Sequence, residues 1–235
     1  MYRRLTLLGS FGFACDGEPV VLPMSAQRVL AFVALHQRPL QRQYVAASLW
    51  LDSPEDRAFA SLRSALWRLG RHGRALVQPQ AQLLALAEDV EVDLRESEAE
   101  ARCALDGIEG ERLSSSLSAF AEDLLPDWYE DWVVLERERY RQLRLRALDA
   151  LCERLTAADR LAEALEAGLA AVAGEPLRES AHRAVIRVHL AEGNVGEAIR
   201  QYRLCRRLLR EQLGIEPSAR MQELIGPFDA PATVR

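Results

Sequence analysis

Apolar and polar positions change period three times along the chain. Residues 5–13 read Leu-Thr-Leu-Leu-Gly-Ser-Phe-Gly-Phe, a strand-like run with its aromatics spaced by two. Asp16-Gly17 is a hairpin turn signal, and Val20-Val21-Leu22 supplies a return strand. The period then becomes helical. Ser25 stands where it can cap a helix whose apolar face is Val29, Leu30, Phe32, Val33 and Leu35. Pro39 ends the connection, and Tyr44, Val45, Leu49 and Trp50 mark a second, short helix. Ser53-Pro54-Glu55-Asp56 starts a third, with a capping hydroxyl, a proline at the first helical position and acids in the first turn.

That third helix, roughly residues 54–69, carries two stripes. Phe59, Leu62, Leu66 and Leu69 recur at three and four and are expected to be buried. Arg57, Ser61, Ser64, Arg68 and Arg71 recur at four, three, four and three on a different face. Gly70 and Gly73 release the helix. Residues 76–86 then read as a hairpin with a polar tip, and residues 90–94 alternate. Strands, three helices and a terminal hairpin make a winged helix-turn-helix, the hairpin being the wing beside the recognition helix.

Beyond residue 95 the chain is helical and repetitive. Gly107, Gly110 and Ser114-Ser115-Ser116 mark a break. Residues 123–132 form an acidic, aromatic corner in which Trp128 and Trp132 are expected as packing anchors. A long helix over residues 132–155 places Tyr140, Leu143, Ala147, Leu148, Leu151 and Leu155 on one side. Its Arg137, Arg139, Arg141, Arg144 and Arg146 read as a solvated face or as an extension of a DNA footprint. Two helical hairpins follow: Glu163-Ala164-Leu165 matches Glu197-Ala198-Ile199 at 34 positions, the tetratricopeptide period. Each closes at a proline, Pro176 and Pro217, which lie 41 apart, so the second unit carries the longer helix. Stacked repeats of this kind offer a concave protein-binding surface, or serve only as an architectural bundle.

Composition adds limits. With 49% hydrophobic and 28% charged residues, the 235-residue chain can bury a core. No stretch reaches the ~18–20 apolar residues of a membrane span. The first ten residues have a short apolar run with Asp16 soon after, so no signal peptide or membrane contact is expected and the location is expected to be cytoplasmic. Cys15, Cys103, Cys152 and Cys205 lie far apart and read as reduced, mostly buried thiols. Every basic residue is arginine, 30 in all. Residues 96–235 hold 19 arginines against 26 acids, whereas residues 25–74 hold 8 against 3. A basic island in an acidic chain fits a polyanion-binding module joined to one that avoids nucleic acid, or ordinary surface variation.

Enzymatic chemistry finds no support. Phosphate-loop, dinucleotide, zinc-protease and nucleophile-elbow motifs are all missing from the sequence. His182 and His189 are seven apart and share a helix face, without acidic or cysteine companions at ligand spacing. No catalytic residue, metal or cofactor is therefore expected. The stripe of the third helix suits a DNA major groove, in which arginine contacts guanine bidentately and serine contacts base edges or phosphates. Arg57 and Arg68 are the base or phosphate contacts, Ser61 and Ser64 the close-approach positions, and Arg63 and Trp67 flanking backbone contacts. Arg71 extends the stripe, Arg42 reaches phosphate from the second helix, and Gln80 or Gln82 from the wing. A plain amphipathic helix with a solvated arginine face has the same pattern.

A resemblance covers nearly the whole chain. Ser25-Ala26-Gln27-Arg28-Val29-Leu30-Ala31 through Ala60-Ser61-Leu62-Arg63-Ser64-Ala65-Leu66-Trp67-Arg68-Leu69 resembles the DNA-binding domain of SARP-type transcriptional activators, the antibiotic regulatory proteins of actinobacteria. Glu175-Pro176-Leu177-Arg178-Glu179 and Leu213-Gly214-Ile215-Glu216-Pro217 resemble their bacterial transcriptional activator domain. The resemblance implies a mainly α chain with a small β component. An OmpR/PhoB-type winged helix domain (α+β) would occupy residues 1–95, an all-α tetratricopeptide-like domain residues 96–226, and a flexible tail residues 227–235. It implies binding to direct-repeat promoter DNA by two protomers side by side, and recruitment of RNA polymerase holoenzyme through its σ subunit. No appended ATPase, phosphopeptide-binding or sensor module is expected. Two departures touch the site: the wing contains Pro79 without a glycine at its tip, and Gly70 is expected to shorten the recognition helix. The function expected is a non-catalytic, sequence-specific transcriptional activator. A DNA-binding repressor, and an adaptor whose winged helix binds no DNA, are the alternatives.

Overall fold

The computed structural model describes residues 2–70, 76–80, 82–107, 116–226 and 228. The chain divides into two compact units: Met1–Glu96 with Asp123–Arg137, and Ser97–Glu122 with Glu138–Arg235.

In the first unit, β1 (Arg3–Thr6) pairs antiparallel with β2 (Gly12–Cys15), which pairs with β3 (Glu18–Pro19). Asp16 and Gly17 both have positive φ, 49° and 86°, as a primed hairpin turn demands. The return strand comes at residues 18–19, ahead of the valines at 20–21. The run 5–13 is two strands and not one, because its middle hydrogen bonds elsewhere. The backbone N–H groups of Leu7 and Leu8 donate to the Asp93 carboxylate at 2.9–3.1 Å. The Gly9 N–H donates to the Asp123 carbonyl at 2.8 Å, and the Leu7 carbonyl accepts from Leu125 at 2.9 Å. Burial pushes the Asp93 carboxyl pKa up, against the pull of those N–H donors.

Helix α1 (Met24–Leu35) starts one residue before Ser25. Ser25 is therefore inside the helix, and the Pro23 carbonyl instead accepts from Ala26 and Gln27. A short β4 (Leu40–Gln41) leads into α2 (Arg42–Leu49), and α3 (Glu55–Gly70) follows. Strands β5 (Val77–Gln80) and β6 (Leu83–Leu86) make the wing, in a sheet ordered β4-β6-β5. Pro79 lies in β5, opposite Leu84. Because β5 is an edge of that sheet, the missing N–H of Pro79 is tolerated. β7 (Val90–Val92) returns to pair parallel with β1. The aromatic corner packs into this unit: Phe32 meets Trp132 edge-on at 5.1 Å, Trp132 meets Trp128 at 6.1 Å, and Trp128 stacks on Phe11 at 5.8 Å.

The second unit contains α4 (Asp93–Asp106) from Ser97 onward, α5 (Ser116–Ala119), α6 (Asp131–Ala157) from Glu138 onward, α7 (Leu161–Gly174), α8 (Glu179–Ala191), α9 (Val195–Leu213) and α10 (Ala219–Ile225). Glu163-Ala164 and Glu197-Ala198 are the third and fourth residues of α7 and α9, and both alanines are fully buried. Leu148, Leu151 and Leu155 of α6 form one core with Ala164, Ala167 and Ala171 of α7 and Ala184 of α8. At Gly168 a Cβ would stand 2.8 Å from Val185 Cγ2 and 3.2 Å from Cys152 Sγ, so only glycine permits the three helices to approach this closely. The 108–115 break and the tail, apart from Phe228, lie outside the described residues.

Of the arginines read as a solvated face on the long helix, Arg137 and Arg144 are committed internally, whereas Arg141 keeps an exposed glutamate partner on its own helix. Arg137, in the first unit, donates to the carbonyls of Leu124, Leu125 and Trp128. In the second unit Arg141 pairs with Glu138 and Glu175, and Arg144 is buried. Among the thiols Cys152 and Cys205 are buried and pushed up to about 11 by burial, while Cys103 is exposed.

His182 on α8 is buried. Its Nε2 donates to the Pro176 carbonyl at 2.9 Å, and its Nδ1 accepts from the Gln201 amide at 2.9 Å. Both bonds fit the neutral ring. Burial lowers the His182 pKa below the ordinary histidine value, against the opposing pull of the Pro176 bond and the Glu179 charge. As pH falls through about 6.5, the unfolded chain then takes up its proton first, so this stabilisation is full above that value and lost below it. The urea midpoint of the wild-type chain should fall on going from about pH 7 to pH 5 by more than that of His182→Gln. Parallel pH profiles for the two chains would refute this.

Candidate nucleic-acid interface

Helix α3 buries Ala58, Leu62, Ala65 and Leu69. Leu62 and Leu69 are buried as expected, whereas Phe59 and Leu66 are only half-buried and the alanines one residue before each take their places. The opposite side exposes Arg57, Arg63, Ser64, Trp67 and Arg68, with Ser61 half-buried. Trp67 is 64% exposed, a large apolar ring left on the surface. Arg57, Arg63 and Arg68 make no ion pair with another described residue. Gly70 is the last residue of α3 among the described residues. Arg71 follows it and lies outside the described residues.

The first turn of α3 holds Glu55 and Asp56, which favour the positive end of the helix dipole. Glu55 also accepts from Gln43 of α2 at 3.4 Å, which ties the two helices. Arg28, in the same basic island, is spent differently. Arg28 donates to the Leu49 carbonyl at 2.7 Å, pairs with Glu130 at 2.9 Å and lies 6.0 Å from the Trp50 ring. It therefore braces the end of α2. Nothing in the sequence separates Arg28 from the outward arginines.

The wing is brought to the start of α2. β4 pairs with β6 through Leu40 opposite Leu84 and Gln41 opposite Leu83. The Arg42 N–H donates to the Gln82 carbonyl at 3.0 Å, so these two expected contacts are neighbours. Gln82 is exposed and Arg42 half-buried. The Arg42 Nε is buried with no acceptor among the described residues. Gln80 is the last residue of β5, in register with Leu83. That adjacency across about forty residues is set by sheet pairing, and sequence periodicity carries no sign of it.

Among the described residues there is no His, Cys, Asp and Glu grouping that could hold a metal, and no helix is long and apolar enough to cross a membrane.

The family model for the bacterial transcriptional activator domain matches residues 91–226, more than half of the chain. No curated protein sequence matches. Among solved structures, the chain is similar to Mycobacterium tuberculosis EmbR in complex with a low-affinity phosphopeptide, at a TM-score of 0.74 and 21% identity. The alignment covers 94% of this chain and 63% of the EmbR chain, so this chain spans less than two thirds of that one. At that identity the likeness establishes the fold, a winged helix followed by tetratricopeptide-like helices. Taken with the domain match, it follows that this chain belongs to the bacterial transcriptional activator domain family, that of the SARP-type transcriptional regulators.

Proposed function

We propose that this regulator is a sequence-specific DNA-binding activator without catalytic activity, acting in the cytoplasm. Its winged helix, within residues 1–95, binds direct-repeat promoter DNA as two protomers side by side. Its helical domain, within residues 96–226, recruits RNA polymerase holoenzyme through the σ subunit, and residues 227–235 form a tail. One observation carries the reading: α3 turns three guanidiniums outward with no carboxylate partner among the described residues, on the side opposite its buried face.

In this arrangement Arg57 and Arg68 read bases or hold phosphates, Ser61 and Ser64 permit close approach, Arg71 extends the stripe, and Arg63 and Trp67 contact the flanking backbone. Arg42 reaches phosphate from the start of α2, with Gln80 and Gln82 from the wing. Genome-wide mapping of bound sites supplies the operator, and titration on that operator across a salt series supplies the test. Neutralising several phosphates makes log K fall steeply with log salt. A flat salt response on the mapped operator would remove the DNA-binding role and favour the adaptor reading. Sites lying across the promoter's polymerase contacts, with transcription rising on deletion of the gene, would make the protein a repressor.

A further inference from the structure

The second unit carries its own concentration of positive charge. Residues 183–210 hold seven arginines against two glutamates, inside a half of the chain that is otherwise acidic. On α9, Arg200, Arg203, Arg207 and Arg210 succeed one another at three, four and three, which places them in one row about 15 Å long. All four are exposed. The other side of α9 buries Ala198, Tyr202, Cys205 and Leu209 in a core with Ile186, Met221 and Ile225. The ends of the row are neutralised: Arg200 pairs with Glu197 at 2.9 Å and Arg210 with Glu216 at 3.2 Å. Arg203 and Arg207, at its centre, have no ion pair with another described residue.

Such a row calls for an anion, and its make-up selects which. Protein interfaces centre on aromatic or aliphatic anchors and are depleted of charge there. Here Leu204 and Leu208 are turned partly inward, and the exposed Leu213 comes only past Arg210, at the helix end. A duplex presents one charge per about 3.4 Å of each strand, so a row of ~15 Å spans about four phosphates. We propose that the Arg203–Arg207 face of α9 is a second, sequence-independent contact to the phosphate backbone of double-stranded DNA, made by the activator domain itself. The inference rests on the DNA-binding reading, while the α9 face itself is argued from the second unit alone.

The test uses the full chain, a duplex of unrelated sequence about 40 base pairs long, and anisotropy titrations between about 50 and 200 mM NaCl, where binding is wholly electrostatic. Arg203→Ala with Arg207→Ala should lower the steepness of log K against log salt by about 2, and the paired lysine variant should keep it. Both residues are exposed, and an unchanged circular dichroism spectrum and melting curve establishes that the variant is folded. A wild-type slope retained in the double alanine variant overturns the proposal and leaves α3 untouched. Retained slope with lost promoter output also overturns it, and assigns the row to an acidic protein surface. Binding that survives Arg57→Ala with Arg68→Ala but falls with the α9 variant upholds α9 and leaves Arg57 and Arg68 a base-reading role only. A wild-type chain that binds no duplex at any salt overturns both.

Discussion

Replacing Arg57 and Arg68 together by alanine is expected to cost at least about 2 kcal/mol of operator affinity, some 30-fold or more in Kd. Each is exposed on α3 and without an ion-pair partner among the described residues, so nothing in the protein is left unpaired when it goes. The loss then belongs to the complex. A bidentate contact to guanine is worth roughly 1–3 kcal/mol. The two residues stand about 16 Å apart along the helix, far enough for their effects to add. The single variants separate the roles. If Arg68 reads a base, Arg68→Ala relaxes preference at one operator position; if it holds a phosphate, all sequences weaken alike and the salt slope drops by about 1. Gel-shift titrations on the operator and on single-base variants of it distinguish these. Unchanged affinity and preference in the double variant would take both residues out of the interface.

The second large effect lies on the reverse side of the same helix. Leu62 is 1% exposed on the face of α3 that packs against α1 and α2. Leu62→Ala removes buried methyl groups and leaves a cavity, a change worth roughly 2–5 kcal/mol. Against a typical total of about 5–15 kcal/mol, that leaves little margin, and DNA binding should fail as the first unit loosens on warming. Ser64→Ala, two positions on and exposed, should shift stability by no more than about 0.5 kcal/mol. Urea unfolding of the two variants measures the contrast. A loss under about 1 kcal/mol for Leu62→Ala would mean that α3 is not anchored through this residue.

Helix α3 is readable because its start is written locally, in Ser53-Pro54-Glu55-Asp56, and because Arg57, Ser61, Ser64 and Arg68, spaced four, three and four, must share a face. Its inner face holds the expected Leu62 and Leu69 but takes alanines in place of the two other expected residues. Ala58 and Ala65 are buried while Phe59 and Leu66 are only half so, since alanine carries little apolar signal yet lets helices approach closely. The hairpin at Asp16-Gly17 was equally local. What escaped depends on partners far along the chain. Leu7 and Leu8 leave their strand for the carboxylate of Asp93, β1 takes β7 as a parallel neighbour, and Arg42 meets Gln82. Charge was misleading for a related reason. Arg28, Arg137 and Arg144 look in the sequence like Arg57 and Arg68, but their guanidiniums are spent on carbonyls and acids inside the units.

The aromatic corner also limits how such regulators can be recombined. Asp123–Arg137 belongs with the first ninety-six residues, although the intervening twenty-six do not. A gene fusion spliced at residue 96 would cut α4 within its first turn and abandon Trp128 and Trp132, taking Trp128 from Phe11 and Trp132 from Phe32. A hybrid carrying everything through residue 137 retains them, so breakpoints tolerated in chimeras should cluster after that position and not at the apparent end of the wing.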